Sequence, residues 1–251
     1  MRTGKIILLS AAFSFVTIST NAFPWMSPYA YCMGNPVMLV DPDGRASGDY
    51  YNTSGKNIGT DGIDDQRKFI VLDNKEARLF QKTGSVEDVN SEIPVPSLEV
   101  ISQTNKAIDL TEQSNSEHGF VVSTNGNTSS MYSGNSGSVQ TGRGFEEIEK
   151  NGGKTAFDVH THPLDYQPGS GTAYKIGDYK PSDHDVRMRG VREENMSVSQ
   201  PSWVIGYQIR EGAQPTMGNN TRVVTFYNSG GIIRTVNWRK FEKTVNKILA
   251  R

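Results

Sequence analysis

The sequence predicts an α+β fold, a mixed α/β arrangement in which a sheet lies between helices. Four short runs are rich in β-branched and aromatic residues, as is typical of strands: 155–162, 203–209, 222–227 and 232–236. Residues 98–111 and 238–249 instead carry apolar side chains at helical spacing. Because helices come both before and after these strands, we expect a mixed sheet flanked by helices, with a small β-rich segment ahead of it.

The composition narrows the class of protein. The 251 residues hold 26 Lys and Arg against 27 Asp and Glu, so the net charge is −1 and binding to nucleic acid through bulk charge is disfavoured. A single cysteine excludes an internal disulfide framework and a cysteine-rich zinc finger. No segment beyond the first 22 residues has the roughly 18 consecutive apolar residues of a membrane span, so we expect no membrane partner.

The first 22 residues have the pattern of a secretory signal peptide. Arg2 and Lys5 form a short basic start, residues 6–18 are apolar apart from Ser and Thr, and small residues precede a cleavage point after Ala22. A buried N-terminal helix or strand is the alternative. We expect the signal peptide, and therefore a secreted or periplasmic protein that begins at Phe23.

Residues 23–45 are aromatic at first and then rich in turns. They contain a Tyr-x-Tyr at 29–31, an Asn-Pro at 35–36 and an Asp-Pro-Asp-Gly-Arg run at 41–45. This order resembles the C-terminal end of an Rhs/YD-repeat core. In that family the segment closes a large β-cage and a variable toxin domain follows it. The resemblance implies that residues 23–45 are a remnant of such a core, with the ancestry and gene context of that family.

Residues 46–96 are expected to form a small β-rich connector. A turn is predicted at 52–55, and strands are predicted at 68–73 and 77–80. The Pro-broken stretch 92–97 reads as a linker, so we place the boundary of the main domain at residue 97.

The main domain, residues 97–251, is predicted to begin with a helix that Ser97 caps. A short buried strand follows at 119–122, then a hairpin or open loop rich in Gly, Ser and Asn at 125–144 and a helical turn at 146–150. At its other end, residues 238–249 form an amphipathic helix with Lys and Arg on the face opposite the apolar one.

Two of the four histidines lie in the run Phe157-Asp-Val-His-Thr-His-Pro163. Side chains of a strand alternate between its two faces. Phe157, Val159 and Thr161 should therefore face the core, and Asp158, His160 and His162 the other side. Two imidazoles at i and i+2 on one face form a natural clip for a metal ion, because each offers a ring nitrogen. A pair of surface histidines is the alternative.

Downstream, Ser182-x-x-Asp185 has two interpretations. It has the form of a capping box at the start of a helix, with Gly190 as a helix stop. The same spacing also lets Ser182 and Asp185 share one face of the first turn, where Asp185 could be a third metal ligand. Three protein ligands with one open position are the arrangement of a catalytic zinc site.

A catalytic site of this kind also needs a general base. Glu117 comes just before the buried strand that Gly119 begins, and a carboxylate beside a metal-bound water can take its proton and pass it to a leaving amine. Other upstream carboxylates compete with it and leave the assignment open from position alone: Glu112, Glu146, Glu147 and Glu149.

In this order, Glu117-x-Gly, His160-x-His162-Pro and Ser182-x-x-Asp185 resemble the JAMM/JAB metallopeptidase motif. The likeness covers about residues 97–230 and implies a fold of the cytidine-deaminase class. It implies that His160, His162 and Asp185 bind Zn²⁺, that Glu117 is the acid/base and that Ser182 steadies the oxyanion. The sequence departs from the motif in the 19 residues 163–181, which make the gap between His162 and Ser182 longer than is usual in the family. At the usual spacing Ser170 is present, but Ala173 stands in place of the aspartate.

An Rhs-like segment followed by a JAB-like domain resembles the JAB-like toxins of polymorphic toxin systems. The resemblance implies a hydrolase that cleaves a peptide or isopeptide bond in a protein or peptide substrate, with a cognate immunity protein as a possible partner. Two alternatives stay open. One is a JAB-like interaction module without activity. The other is a metal phosphoesterase, because Asp-Val-His-Thr-His also resembles the first motif of the PHP class; such sites need further histidines, and only His184 follows.

Overall fold

The computed structural model describes residues 48–60, 67–134, 139, 141–163, 179–196, 198, 200–209 and 220–251, all within one compact unit. The signal peptide predicted at 1–22 and the Rhs-like segment at 23–45 lie outside these ranges. The fold is mixed α/β with two mixed sheets and five helices among the described residues, which confirms the predicted α+β class. None of the described helices is both long and apolar enough to cross a membrane.

The smaller sheet has four strands in the order β2-β1-β3-β4. Its strands are β1 (Gly48–Asn52), β2 (Asn57–Thr60), β3 (Arg67–Val71) and β4 (Glu92–Pro94). β1 runs parallel to β3, and the other pairs are antiparallel. The turn predicted at 52–55 joins β1 to β2, where the Gly55 N–H donates to the Asn52 carbonyl at 2.9 Å.

A helix, α1 (Asn74–Thr83), replaces the strand predicted at 77–80, so that prediction was wrong. Asp73 caps the helix: its side chain accepts hydrogen bonds from the N–H groups of Lys75 and Glu76. Gly84 ends it in the left-handed conformation, with φ of 70°. Ala77 and Phe80 are three residues apart and share the buried face of the helix. A short apolar run of this kind is compatible with either a strand or a helix, so periodicity alone does not distinguish the two.

The larger sheet has six strands in the order β10-β9-β8-β7-β5-β6. They are β5 (His118–Ser123), β6 (Tyr132–Ser133), β7 (Thr155–Thr161), β8 (Ser202–Ile209), β9 (Asn220–Asn228) and β10 (Gly231–Asn237). Only β7 and β8 run parallel; the other neighbours are antiparallel. The strands predicted in the main domain are thereby confirmed, with ends shifted by one or two residues.

One face of this sheet carries the apolar core. Helices α2 (Leu98–Ser114) and α5 (Trp238–Leu249) cover it, and Ser97 caps α2 as predicted, accepting from the Val100 N–H at 3.3 Å. Aromatic rings from β7, β8, β9 and α5 pack together here: Phe157, Trp203, Phe226 and Phe241. Tyr51, Ile70, Leu72 and Ile93 of the smaller sheet belong to the same buried cluster, so residues on both sides of the boundary predicted at 97 share one core.

Helices α3 (Gly142–Lys150) and α4 (Asp183–Met196) lie against the opposite face. α4 continues past Gly190, so the helix stop predicted there was wrong. A glycine inside a helix costs about 1 kcal/mol relative to alanine. Arg189, Arg192 and Glu193 on either side of it make polar contacts with the strands and turns below the helix, and these hold the helix in place past the glycine.

Candidate metal site

The alternation of side chains along β7 determines which face of the sheet carries His160. His160 is paired with Gly119 on β5 and with Val204 on β8, and it lies on the face that α3 and α4 cover. His162 follows directly after the strand, where its N–H donates to the Ile205 carbonyl at 2.8 Å. Phe157 and Val159 point to the apolar core on the other face, as the period of two predicts.

Asp185 comes to the same place from the start of α4. Its Oδ2 accepts hydrogen bonds from the N–H and the Oγ of Ser182, both at 2.7 Å, and its own N–H donates to Ser182 Oγ at 3.2 Å. This is the reciprocal capping box. The same Oδ2 lies 3.7 Å from Nε2 of His160, so the cap also fixes Asp185 beside the histidine.

His160, His162 and Asp185 form a group that could hold a metal ion: one ligand atom from each lies within 4.8 Å of the others. His160 is 2% exposed, and its Nε2 has no hydrogen-bond partner among the described residues. A buried ring nitrogen without a partner is costly, and a cation at this point would satisfy it. The donor set therefore fits a metal ion.

Charges around the group favour a cation. Burial alone would raise the pKa of Asp185, but the neighbouring His160 and the hydrogen bonds from Ser182 outweigh it and hold that pKa well below its ordinary value. Burial would also lower the pKa of His160, but Asp158 and Asp185 outweigh it and raise that pKa. The carboxylates of Asp158 and Asp185 thus flank the ring of His160 and favour a positive charge there, which a cation bound at Nε2 would supply.

Asp158 supports His160 from behind. Its carboxylate is buried, with Oδ2 3.8 Å from Nδ1 of His160. Its Oδ1 accepts hydrogen bonds from Ser202 Oγ at 2.6 Å and from Arg192 Nη1 at 3.2 Å. Burial opposes its ionisation, but contacts with His160, Arg192 and Ser202 lower its pKa to about 2. The alternation along the strand predicted that Asp158 shares this face, but no role for it was evident from the sequence. Its position two residues before His160 was the signal that could have indicated a contact with the histidine.

Glu117 lies next to the group. It is 7% exposed, and this burial raises its pKa to about 7; the charge of His160 lowers the pKa, and that of Asp185 raises it further. The strand that Glu117 precedes comes close to β7: a Cβ on Gly119 would lie 2.7 Å from the Val159 carbonyl oxygen. A carboxyl group that titrates near neutral pH can both take up and release a proton.

The competing carboxylates are engaged elsewhere or exposed. Glu147 accepts hydrogen bonds from Ser130 and Tyr132, and Glu112 binds Arg222 and Tyr207. Two more, Glu146 and Glu149, are exposed on α3. Glu117, by contrast, lies within the field of His160, whose charge lowers its pKa.

Three further polar residues of the motif region lie as follows. Ser182 is exposed, and its hydroxyl hydrogen is donated to Asp185. Nδ1 of His118 lies 3.0 Å from the Ser116 carbonyl oxygen, and Nδ1 of His184 lies 3.0 Å from Arg187 Nη2. Within the described ranges, neither His118 nor His184 belongs to the metal group.

Comparisons with protein-family models, with curated proteins and with solved structures find no match to this chain.

Proposed function

We propose that the chain is a zinc-dependent peptidase or isopeptidase of the JAMM type that acts as a secreted toxin or effector on a protein or peptide substrate. The observation that carries this proposal is the approach of His160, His162 and Asp185 to within 4.8 Å, with the buried carboxyl group of Glu117 beside them.

Zinc is the metal that we propose for this donor set. Two imidazole nitrogens and one carboxylate oxygen are the ligand types of catalytic zinc sites, which keep one position open. A bound Zn²⁺ would polarise a carbonyl group and make water acidic enough to react near neutral pH. His160 would donate Nε2, the buried nitrogen that has no hydrogen-bond partner among the described residues.

Glu117 is the acid/base in this proposal. Its carboxylate takes a proton from the attacking water while the water oxygen bonds to the carbonyl carbon of the substrate. As the C–N bond breaks, the same carboxyl oxygen gives the proton to the departing nitrogen, so one residue serves both steps. Burial, which raises the pKa of Glu117 to about 7, suits it to both directions of transfer.

Ser182 is proposed as the oxyanion partner, provided that its hydroxyl can turn away from Asp185. Its hydroxyl donates to Asp185 Oδ2 at 2.7 Å and would have to turn from that carboxylate to reach a developing oxyanion. In the arrangement described here, the hydroxyl instead fixes the position of Asp185.

The hydrogen bond from Ser182 to Asp185 is the observation that favours the second candidate, a JAB-like interaction module without activity. Such a module would bind a partner, such as an immunity protein, and would need no hydroxyl free for catalysis. The phosphoesterase has less support, because such sites need more histidine ligands and the metal group among the described residues consists of His160, His162 and Asp185.

The test is hydrolysis by the full chain, purified and loaded with Zn²⁺. The probes are quenched peptides joined either through an α-amide or through the ε-amino group of a lysine. We expect cleavage of at least one set, loss of cleavage on chelation and recovery when Zn²⁺, but not Mg²⁺, is returned. Bound zinc without cleavage of either set would favour the interaction module.

A further inference from the structure

Helix α4, which carries Asp185, has an unusual inner face. Helices normally dock through an apolar stripe at spacings of three and four residues. On α4 three of the four positions at that spacing are ionic, namely Asp185, Arg189 and Arg192 at i, i+4 and i+7, and the fourth is Met188 at i+3. Arg189 is 2% exposed and is the fully buried member among the α4 side chains that are described, whereas Val191 is 45% exposed.

The inner face is ionic, and each group on it has a defined partner. Arg189 donates to Ser202 Oγ at 3.2 Å and to the Val198 carbonyl at 3.4 Å. It also donates through Nε to Glu193 Oε1 at 2.8 Å, and the same Oε1 accepts from the Ser229 N–H at 3.2 Å. These contacts tie the middle of α4 to the start of β8 and to the turn between β9 and β10.

Arg192 makes the connection to the metal group. Its Nη1 donates to Asp158 Oδ1 at 3.2 Å, its Nη2 donates to Thr141 Oγ1 at 3.1 Å, and its guanidinium lies 4.3 Å from the ring centroid of Phe145. Asp158 thus contacts α4 through one oxygen and faces Nδ1 of His160 through the other. A single carboxylate links the histidine on β7 to the helix that carries the third ligand.

Ionic docking differs from apolar docking in its energetics. A buried ion pair contributes little net stability, because the loss of hydration cancels most of the attraction. Its geometry is nevertheless specific, since a guanidinium fork fixes both distance and direction. The docked position of α4 is therefore well defined but weakly stabilised, so a cation that joins Asp185 to His160 and His162 would add a large share of the docking free energy.

We propose that Asp158 and Arg192 are positioning residues, and that docking of α4 onto the sheet and cation binding at His160, His162 and Asp185 form one coupled equilibrium. The inference rests on the metal site of the proposed function. It adds that the third ligand, Asp185, is in position to bind the metal only while the ionic face of α4 is docked on the sheet. Binding of the cation orders α4, and loss of the Asp158–Arg192 pair weakens binding without removing a ligand.

The first test is the affinity of the full chain for Zn²⁺ after Asp158→Asn and, separately, Arg192→Gln. Loss of a group that orients a metal ligand typically lowers affinity about 10–100-fold, which is the result expected for both variants. Arg192→Lys keeps a charge for Asp158 and should recover part of the loss. The matched control is Arg234→Gln, which breaks the 2.8 Å ion pair with Asp73 away from α4 and should leave the affinity unchanged.

The second test separates positioning from general loss of structure. Amide hydrogen exchange across 186–194 should slow when Zn²⁺ is added to the wild-type chain and should slow less in Asp158→Asn, while exchange in α5 stays the same. The visible absorption bands of bound Co²⁺, which report ligand geometry, should shift in Asp158→Asn and not in Arg234→Gln. A variant that also lost protection in α5 would be replaced in the comparison by Arg192→Lys.

The outcomes distinguish this inference from the proposed function. Zinc affinities within twofold of the wild type in both variants, or exchange across 186–194 that zinc does not change, would overturn the coupling and leave the peptidase proposal standing. Coupled binding with no hydrolysis of either peptide set would support the coupling and overturn the peptidase. Absence of zinc binding in the wild-type chain would overturn both.

Discussion

The two faces of the six-stranded sheet are built on different physics, although β7 contributes alternate residues to both. Phe157 and Val159 enter a core of aromatic and aliphatic side chains under α2 and α5. Asp158 and His160, one position along, enter a buried network of charges under α4, which lies beside a smaller apolar cluster under α3. The apolar face supplies non-directional stability, and the ionic face supplies defined geometry at little net gain.

Stability and chemistry should therefore depend on residues of different faces. Substitutions on the apolar face should change the free energy of unfolding and leave the intrinsic cation affinity of folded molecules alone. Substitutions on the ionic face should change chemistry or affinity with a smaller effect on unfolding. The following predictions test that separation.

The largest effect is expected for Glu117→Gln. The change is nearly isosteric and removes the proton acceptor, so hydrolysis should fall about 10²–10⁴-fold while bound zinc and the fold are kept. Rates on the cleaved peptide probe and the zinc content of the same sample measure both. Glu146→Gln, at an exposed position on α3, is the control and should retain full activity. Equal rates for Glu117→Gln and the wild type would contradict the acid/base assignment.

On the apolar face, Phe226→Ala should cost about 3–5 kcal/mol of unfolding free energy, because the ring is fully buried and its removal leaves a cavity. Denaturant unfolding measures the loss. Zinc affinity, determined where the variant is still folded, should match the wild type. A cost below about 1 kcal/mol, or a selective loss of zinc, would mean that the two faces are not separate.

On the face that carries His160, β5 approaches β7 closely. A Cβ on Gly119 would meet the Val159 carbonyl oxygen at 2.7 Å and His160 Cβ at 3.1 Å, so Gly119→Ala should cost about 1–3 kcal/mol. Gly142→Ala is the matched control, since no atom lies within 4 Å of its added methyl group. Thermal or denaturant unfolding of both variants gives the comparison, and equal stabilities would contradict the steric argument.

The smallest effect concerns pH and the metal-free protein. Burial raises the pKa of Glu117 from the ordinary value of 4.5 to about 7. The ionised carboxylate is therefore less favourable in the folded than in the unfolded chain, and the fold loses stability as the pH rises from 4.5 to about 7. Without metal, Glu117→Gln should be on the order of 1–2 kcal/mol more stable than the wild type at pH 8, with no such gain at pH 4. Unfolding curves at the two pH values decide; a gain that does not grow with pH would contradict the shift.

Much of this arrangement can be predicted from the sequence because it depends on local periodicity. The alternation in residues 157–162 predicts which side chains share a face of β7, and Ser182-x-x-Asp185 predicts the cap of α4. The strand wrongly predicted at 77–80 shows the limit, because four apolar-rich residues suit either period. The cap formed by Asp73, with Glu76 three residues later, was the signal for α1.

What the sequence could not predict depends on contacts between distant segments. Nothing in the run around Asp158 indicates that Arg192, 34 residues later, donates to it. The ionic spacing of Asp185, Arg189 and Arg192 was visible, but it resembles a solvated helix face until the sheet beneath supplies Ser202 and Asp158. Gly190 likewise resembles a helix stop until the polar contacts on both sides of it are known.

The zinc content of the purified full chain shows whether His160, His162 and Asp185 hold a metal ion. After chelation, incubation with Zn²⁺ and removal of free metal, elemental analysis should find one zinc per chain in the wild type. His160→Ala and His162→Ala should each bind far less, while Arg234→Gln should match the wild type. A wild-type chain that binds no zinc, or histidine variants that bind as much as the wild type, would contradict the account.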